Sequence, residues 1–98
     1  MSTDSDPDRH PAVQKQRIFV SEPMGNKSVF HLSGINQILG QRLAAAGFAH
    51  ACTVLGMYLV LQKNRRQFQR WFCDTCGADV KQANECFECL NEWCDYFL

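Results

Sequence analysis

The amino-acid sequence predicts an all-α fold, a compact domain of five helices joined by short links. Three observations carry this. Apolar residues toward the C-terminus recur at 3-4-3-4-3 spacing, the period of one helix face. Glycine or asparagine stops separate the apolar segments. No stretch alternates apolar and polar residues for long, so strands are not expected. The chain has 98 residues, 46% of them apolar and 20% charged, which is the composition of one globular domain. Folding at this size hides roughly 60–70% of the unfolded surface, enough for one modest core.

Residues 1–12 are polar, contain two prolines and lack an apolar period. They read as a disordered acidic arm ahead of a domain spanning 13–98. Residues 13–20 form a short helix with Val13, Arg17 and Val20 on one face. It ends before Glu22-Pro23, because the residue preceding a proline resists the α region. Met-Gly-Asn-Lys at 24–27 is turn chemistry, and 32–36 is a second tight turn. Residues 37–46 read as a helix with Ile38, Leu39 and Leu43 on one face and Gly47 as its stop. Residues 48–63 read as an apolar helix ending at an Asn64 cap. Its lack of a polar face implies burial on most sides, as in a dimer. In 65–76, Phe68, Trp71, Phe72 and Cys76 point inward and Gly77 ends the helix. Asp79-x-x-Gln82 resembles a capping box, and Val80, Ala83, Phe87, Leu90, Cys94 and Phe97 form the final stripe.

The formal net charge is zero, but its sign changes along the chain. Residues 1–12 carry −2, residues 13–73 carry +7 and residues 74–98 carry −5. A basic body suits a polyanionic partner. The longest apolar run, 51–61, has eleven residues, short of the roughly 20 that a membrane-spanning helix needs. No basic-then-apolar pattern opens the chain, so export is not expected. Six cysteines in such a chain read as reduced thiols or metal ligands rather than disulfides.

Three constellations could carry chemistry. The first is the turn Gly34-Ile35-Asn36 leading into a helix. Backbone N–H groups at such a turn and at the helix start carry partial positive charge and can hold a phosphate without reading a base. This is the physics of a helix-hairpin-helix. Most glycine turns before helices are only connectors, yet Lys15, Arg17, Lys27 and Arg42 flank this one. The second is Cys73-x-x-Cys76 with Cys86-x-x-Cys89. Paired knuckles of this kind build zinc sites. Here the nine-residue gap is shorter than usual, and the cysteines fall among apolar helix positions. Buried core thiols are the preferred reading, with no metal and no cofactor expected. The third is Arg65, Arg66 and Arg70, a basic strip opposite Phe68, Trp71 and Phe72, read first as a solvated face. His31, His50 and Cys52 lack partners that would make a nucleophile and base, so no enzyme is expected.

Several stretches resemble the barrier-to-autointegration factor family: FVSEPMGNKSV (19–29), GINQILGQRL (34–43), AGFAHACTVLGMYLVLQKN (46–64), FQRW (68–71) and DTCGADVKQANECFECLNEWCDYFL (74–98). The resemblance implies a helical fold with a helix-hairpin-helix motif that forms a symmetric homodimer. It further implies non-specific binding and bridging of double-stranded DNA, a nuclear location, and roles in chromatin organisation and nuclear envelope assembly. The implied partners are LEM-domain proteins of the inner nuclear membrane, lamins and histones. By resemblance, the DNA-contacting positions are Gln14, Lys15, Gly34, Ile35, Asn36, Ile38, Leu39, Val80 and Lys81. The dimer and LEM-groove positions are Phe48, Gly56, Val60, Leu61 and Trp71. The family cysteines fall at Cys76, Cys86, Cys89 and Cys94.

The departures from that pattern matter. The family has glycine where Asn36 stands, which predicts a left-handed backbone there and a side chain able to compete for the N–H groups of the next helix. The family's phosphorylatable cluster maps onto Pro11, Ala12 and Val13, and Ser2, Thr3 and Ser5 lie in a longer acidic arm. Arg65, Arg66 and Arg70 stand where the family is acidic. A second reading follows: a diverged paralogue with weakened DNA binding, acting through heterodimers with a standard family member or through LEM-domain proteins.

Overall fold

Polar caps decide where the helices begin. A computed structural model describes residues 11–98, with side chains from Gln14 onward, and contains α1 (Pro11–Val20), α2 (Gln37–Ala45), α3 (Ala51–Val60), α4 (Arg65–Cys76) and α5 (Val80–Phe97). A single 3-10 turn, Val29–His31, precedes α2. Asn36 and Asn64 each accept a hydrogen bond at 2.9 Å from the amide three residues on, opening α2 and α4. At α5 the capping box is complete: Asp79 accepts from the Gln82 amide and Gln82 accepts from the Asp79 amide. Gly77 ends α4 in the left-handed region, its amide donating to the Cys73 carbonyl at 2.8 Å. The expected arm falls mostly outside the described residues; Pro11 and Ala12 open α1.

The five expected helices are present, and three details differ. The apolar helix is shorter than 48–63. Residues 48–50 run extended instead, because Val29 donates to Ala49 and Ala51 donates to Lys27, pairing Ser28 with His50. At its other end, Gln62 and Lys63 both adopt positive φ, so the helix stops at Val60. Asn64 therefore caps the start of α4, not the end of α3. Among the described side chains of α1, Phe19 and Val20 are buried while Arg17 is exposed; Val13 lies outside them. The α5 stripe is buried from Ala83 to Cys94, but Val80 and Phe97 at its ends are exposed.

The core is centred on Phe68, fully buried, whose ring meets Tyr58, Trp71, Phe72 and Phe87 with centroids 5.7–5.9 Å apart. Such pairs add about 0.5–1.5 kcal/mol each beyond simple burial. The Tyr58 hydroxyl donates to Asn91 at 2.8 Å, satisfying the polar end of a buried ring. Trp93 on α5 donates to the Glu22 carbonyl at 3.0 Å, fixing the loop after α1. Arg65 fastens α4 to α5 by lying over the Phe87 ring at 4.4 Å while pairing with Glu88 and Asn84.

One contact determines how the 32–36 turn sits. Gly34 has φ +84, and a Cβ there would stand 2.4 Å from the Gln82 carbonyl oxygen of α5. Only a bare backbone fits. Gly34→Ala is expected to cost about 2 kcal/mol or more, from the left-handed strain and the displaced helix together. A urea-denaturation midpoint equal to wild type would contradict this seating.

Burial also pushes several proton-bearing groups upward: Cys86 well above its ordinary value, and Cys89 and Tyr58 each up to about 12. In the unfolded chain these thiols titrate near 9.0 and the phenol near 10.0. Between those values and about 12 the unfolded chain releases protons that the folded chain keeps. Stability is therefore full below about pH 9 and falls as pH rises beyond it; Lys15, shifted down, opposes this with one group. Urea midpoints under reducing conditions should be lower near pH 10 than at neutral pH.

Candidate nucleic-acid interface

Three elements meet at the 32–36 turn. Gly34 rests on α5 beside Gln82, Glu85 and Cys86. Lys15 of α1 donates from Nζ to the Ile35 carbonyl at 2.8 Å. Gln16, next along α1, donates to Glu92 of α5 at 2.5 Å. Behind the turn, Ser33 is buried and its backbone lies against the Cys89 thiol. The beginning of α2 and the beginning of α5 are thus set by the same piece of backbone.

The expected site residues divide into two kinds. Gln14, Asn36 and Lys81 are exposed, as are Ile38 at 57% and Val80 at 68%. Ile35 and Leu39 are buried at 3% and 4%, so their side chains serve the core. Lys15 is half-buried and turned onto the protein. Its pKa is lowered, chiefly by burial.

Asn36 corrects the expectation of a left-handed backbone. Its φ of −92° and ψ of −176° are extended, as suits an N-cap. The left-handed residue of the turn is Gly34, two positions earlier. The expected competition for amides is present: the Asn36 side chain takes the Leu39 N–H at 2.9 Å. A helix start leaves four N–H groups without helical partners. With Leu39 capped, those of Asn36, Gln37 and Ile38 remain for a ligand. These amides lie at the positive end of the α2 dipole, an arrangement suited to a phosphate and indifferent to bases.

The second set of expected residues lies around α3. Phe48 and Trp71 are partly buried and meet edge to face at 5.0 Å. Leu61 packs partly against the core. Gly56 is different: a Cβ added there would meet nothing within 4 Å. Val60, one helical turn on, is 69% exposed, and Cys52, one turn back, is exposed too. These positions form an apolar strip that this protomer leaves uncovered.

Some sequence-level candidates are committed elsewhere. Arg42 donates to the Cys76 carbonyl at 3.1 Å and so closes the end of α4. Lys27 pairs with Glu22 at 2.5 Å, which lowers the Glu22 pKa. Of the arginine strip, Arg65 is held by α5, while Arg66 and Arg70 are exposed. Cys76, Cys86, Cys89 and Cys94 are buried, and burial raises the pKa of each thiol. Among the described residues no group of three or more acidic, histidine or cysteine side chains is placed to hold a metal ion. Sequence reasoning missed a small cavity of about 150 Å³, where Lys27 and His31 join Lys15, Phe19 and Phe30. Its residues come from α1, from position 27 and from the 3-10 turn, and share no spacing that a sequence could display.

The family model described as barrier to autointegration factor matches residues 10–97. The Barrier-to-autointegration factor of Drosophila melanogaster is 56% identical over 85 residues, covering 87% of this chain and 94% of the relative. That of Homo sapiens is 54% identical over 85 residues, covering 87% and 96%. That of Danio rerio is 54% identical over 85 residues, covering 87% and 94%. With that much of its length matched at this identity, the chain belongs to the barrier-to-autointegration factor family.

Proposed function

We propose that this protein binds duplex DNA without sequence preference and bridges DNA segments as a symmetric homodimer. The observation that carries this reading is the turn at 32–36. One bare-backbone contact with α5 and one lysine bond from α1 hold the backbone that leads into the amide groups of the α2 start. In this reading Gln14, Val80 and Lys81 flank the phosphate site, and the turn is the hairpin of a helix-hairpin-helix. The α3 strip at Gly56 and Val60 joins two protomers, with Phe48, Leu61 and Trp71 lining a groove for LEM-domain proteins. Family membership supports a role in chromatin organisation and nuclear envelope assembly, in the nucleus, with lamins and histones as further partners.

A second reading is favoured by one specific bond. Asn36 occupies the Leu39 amide with its own side chain, removing one donor from the site. A paralogue with weakened DNA binding would act through heterodimers or LEM-domain proteins instead. Fluorescence anisotropy of a short duplex across a salt series separates the two. The bridging reading predicts a log–log slope of several units, at about −0.9 per phosphate contacted, with no preference among sequences. Weak binding with a shallow slope, rescued by Asn36→Gly, would favour the paralogue.

Gly56→Glu tests the dimer. A side chain at 56 meets open space within the protomer, so the helix is expected to form normally. Two glutamates brought into an apolar interface would be buried without partners. The variant should sediment as a folded monomer; a folded, monodisperse dimer would overturn the α3 interface.

A further inference from the structure

Cations at the start of a helix face the positive end of its dipole, and like charges four residues apart repel. α4 goes against both preferences. It opens with Arg65 and Arg66, has no acidic residue in its first turn, and places Arg70 one turn after Arg66. Arg65 is compensated, since Glu88 and Asn84 of α5 hold it. Arg66 and Arg70 are not. Both are exposed, and neither makes an ion pair or hydrogen bond among the described residues. Asp74, one turn beyond Arg70, is exposed and does not pair with it. Local preferences broken without a compensating contact inside the chain point to a contact outside it.

The neighbours of this strip indicate the kind of contact. On a helix, positions 67 and 71 form the row beside 66 and 70. Trp71 is half-buried and meets Phe48 edge to face at 5.0 Å. Arginine and aromatic residues side by side at a surface are the composition of protein interfaces and of their energetic centres. A phosphate backbone would use the arginines and leave the aromatic edge unmatched. Positions 66 and 70 are about 6 Å apart along the helix axis, the spacing of two carboxylates one turn apart on a partner helix. Each guanidinium fork fits a carboxylate with two parallel hydrogen bonds. We propose that the outer face of α4 receives an acidic segment of a protein partner: Arg66 and Arg70 take its carboxylates, and Trp71 with Phe48 takes its apolar side chains. This rests on the groove reading above and adds the charge of the groove's occupant.

The test uses the full chain and a LEM-domain library, randomised at exposed positions and displayed on yeast. The library is selected separately on the wild type and on the double variant Arg66→Glu, Arg70→Glu. Both positions are exposed, so the variant is expected to fold, which circular dichroism checks. Aspartate and glutamate should be enriched on the wild type, lysine and arginine on the variant. Each selected set should prefer its own bait about tenfold, the scale of one charge-assisted hydrogen bond, and the preference should shrink as salt rises. Enrichment of the same residues on both baits overturns the proposal and leaves the groove reading standing. Binding of no library member to either bait overturns the groove reading and the proposal with it. Where the double variant does not fold, Arg66→Gln, Arg70→Gln replaces it: the acidic set should lose its advantage over the parent domain, and an unchanged advantage overturns the proposal. Fluorescence anisotropy of a short duplex tests the DNA alternative. The salt slope of Arg66→Gln, Arg70→Gln should match wild type, and a loss of about 0.9 for each arginine assigns them to phosphates and overturns the proposal.

Discussion

The α5 backbone passes through the space that a side chain at position 34 would need. Much of the candidate site follows from that single exclusion. Because Gly34 lies flat on the helix at Gln82, the turn cannot drift along it. The next residue, Ile35, goes into the core and its carbonyl meets Lys15. Asn36 then finds itself extended and opens α2. Two helix starts, those of α2 and α5, are held in one register by the contact of a glycine with a carbonyl oxygen. Electrostatic sites work best when their dipoles are fixed beforehand, and here the packing of Gly34 on α5 and the bond from Lys15 to the Ile35 carbonyl both fix the backbone.

The two surfaces of functional interest are built on different physical terms. The turn offers a helix dipole and backbone donors, one of which, the Leu39 amide, is taken by the Asn36 side chain. The α3 strip offers apolar area and close approach, both acutely sensitive to side-chain identity. A Cβ at Gly56 would meet nothing within 4 Å in its own protomer, whereas a charge buried at an apolar contact is costly. Two glycines 22 positions apart thus stand in opposite surroundings within the protomer. Gly34 is required by the fold of one chain; Gly56 is free within it.

How far the sequence could be read depended on whether each feature was local. Caps and stripes are local, so Gly77 ends α4 and Asp79 opens α5 as the sequence predicts, whereas Asn64, predicted to end the apolar helix, opens α4 instead. The short α3 could not, because its first residues leave the helix for hydrogen bonds with residues 27–29, a pairing with no periodic signal. Asn36 shows the limit in another form. A position aligned with glycine suggested positive φ, but the turn already has its left-handed residue at Gly34. Asparagine is a strong N-cap, and the side-chain bond to Leu39 settled the conformation in the extended region. Its competition with a ligand was legible because capping chemistry is a property of the residue itself. The bond from Lys15 to Ile35 spans twenty positions and had no signature at all.

Charge by sequence segment is a poor guide to charge by surface, and the basic body illustrates why. The +7 of residues 13–73 and the −5 of residues 74–98 suggest two separate faces. The fold brings them together instead, since α5 packs along both α1 and α4. Arg65 lies across α5 between Glu88 and Phe87, and Arg42 closes the end of α4. Lys27 answers Glu22, and Lys15 answers a backbone carbonyl. Lys27 and Arg65 are thus offset by carboxylates, while Lys15 and Arg42 keep their charge but have their side chains held on backbone carbonyls. What they leave behind is a surface where aligned amides and a few exposed basic side chains must do the short-range work. The contacts of Gly34 with α5 and of Lys15 with Ile35 fix the course of the backbone that opens α2.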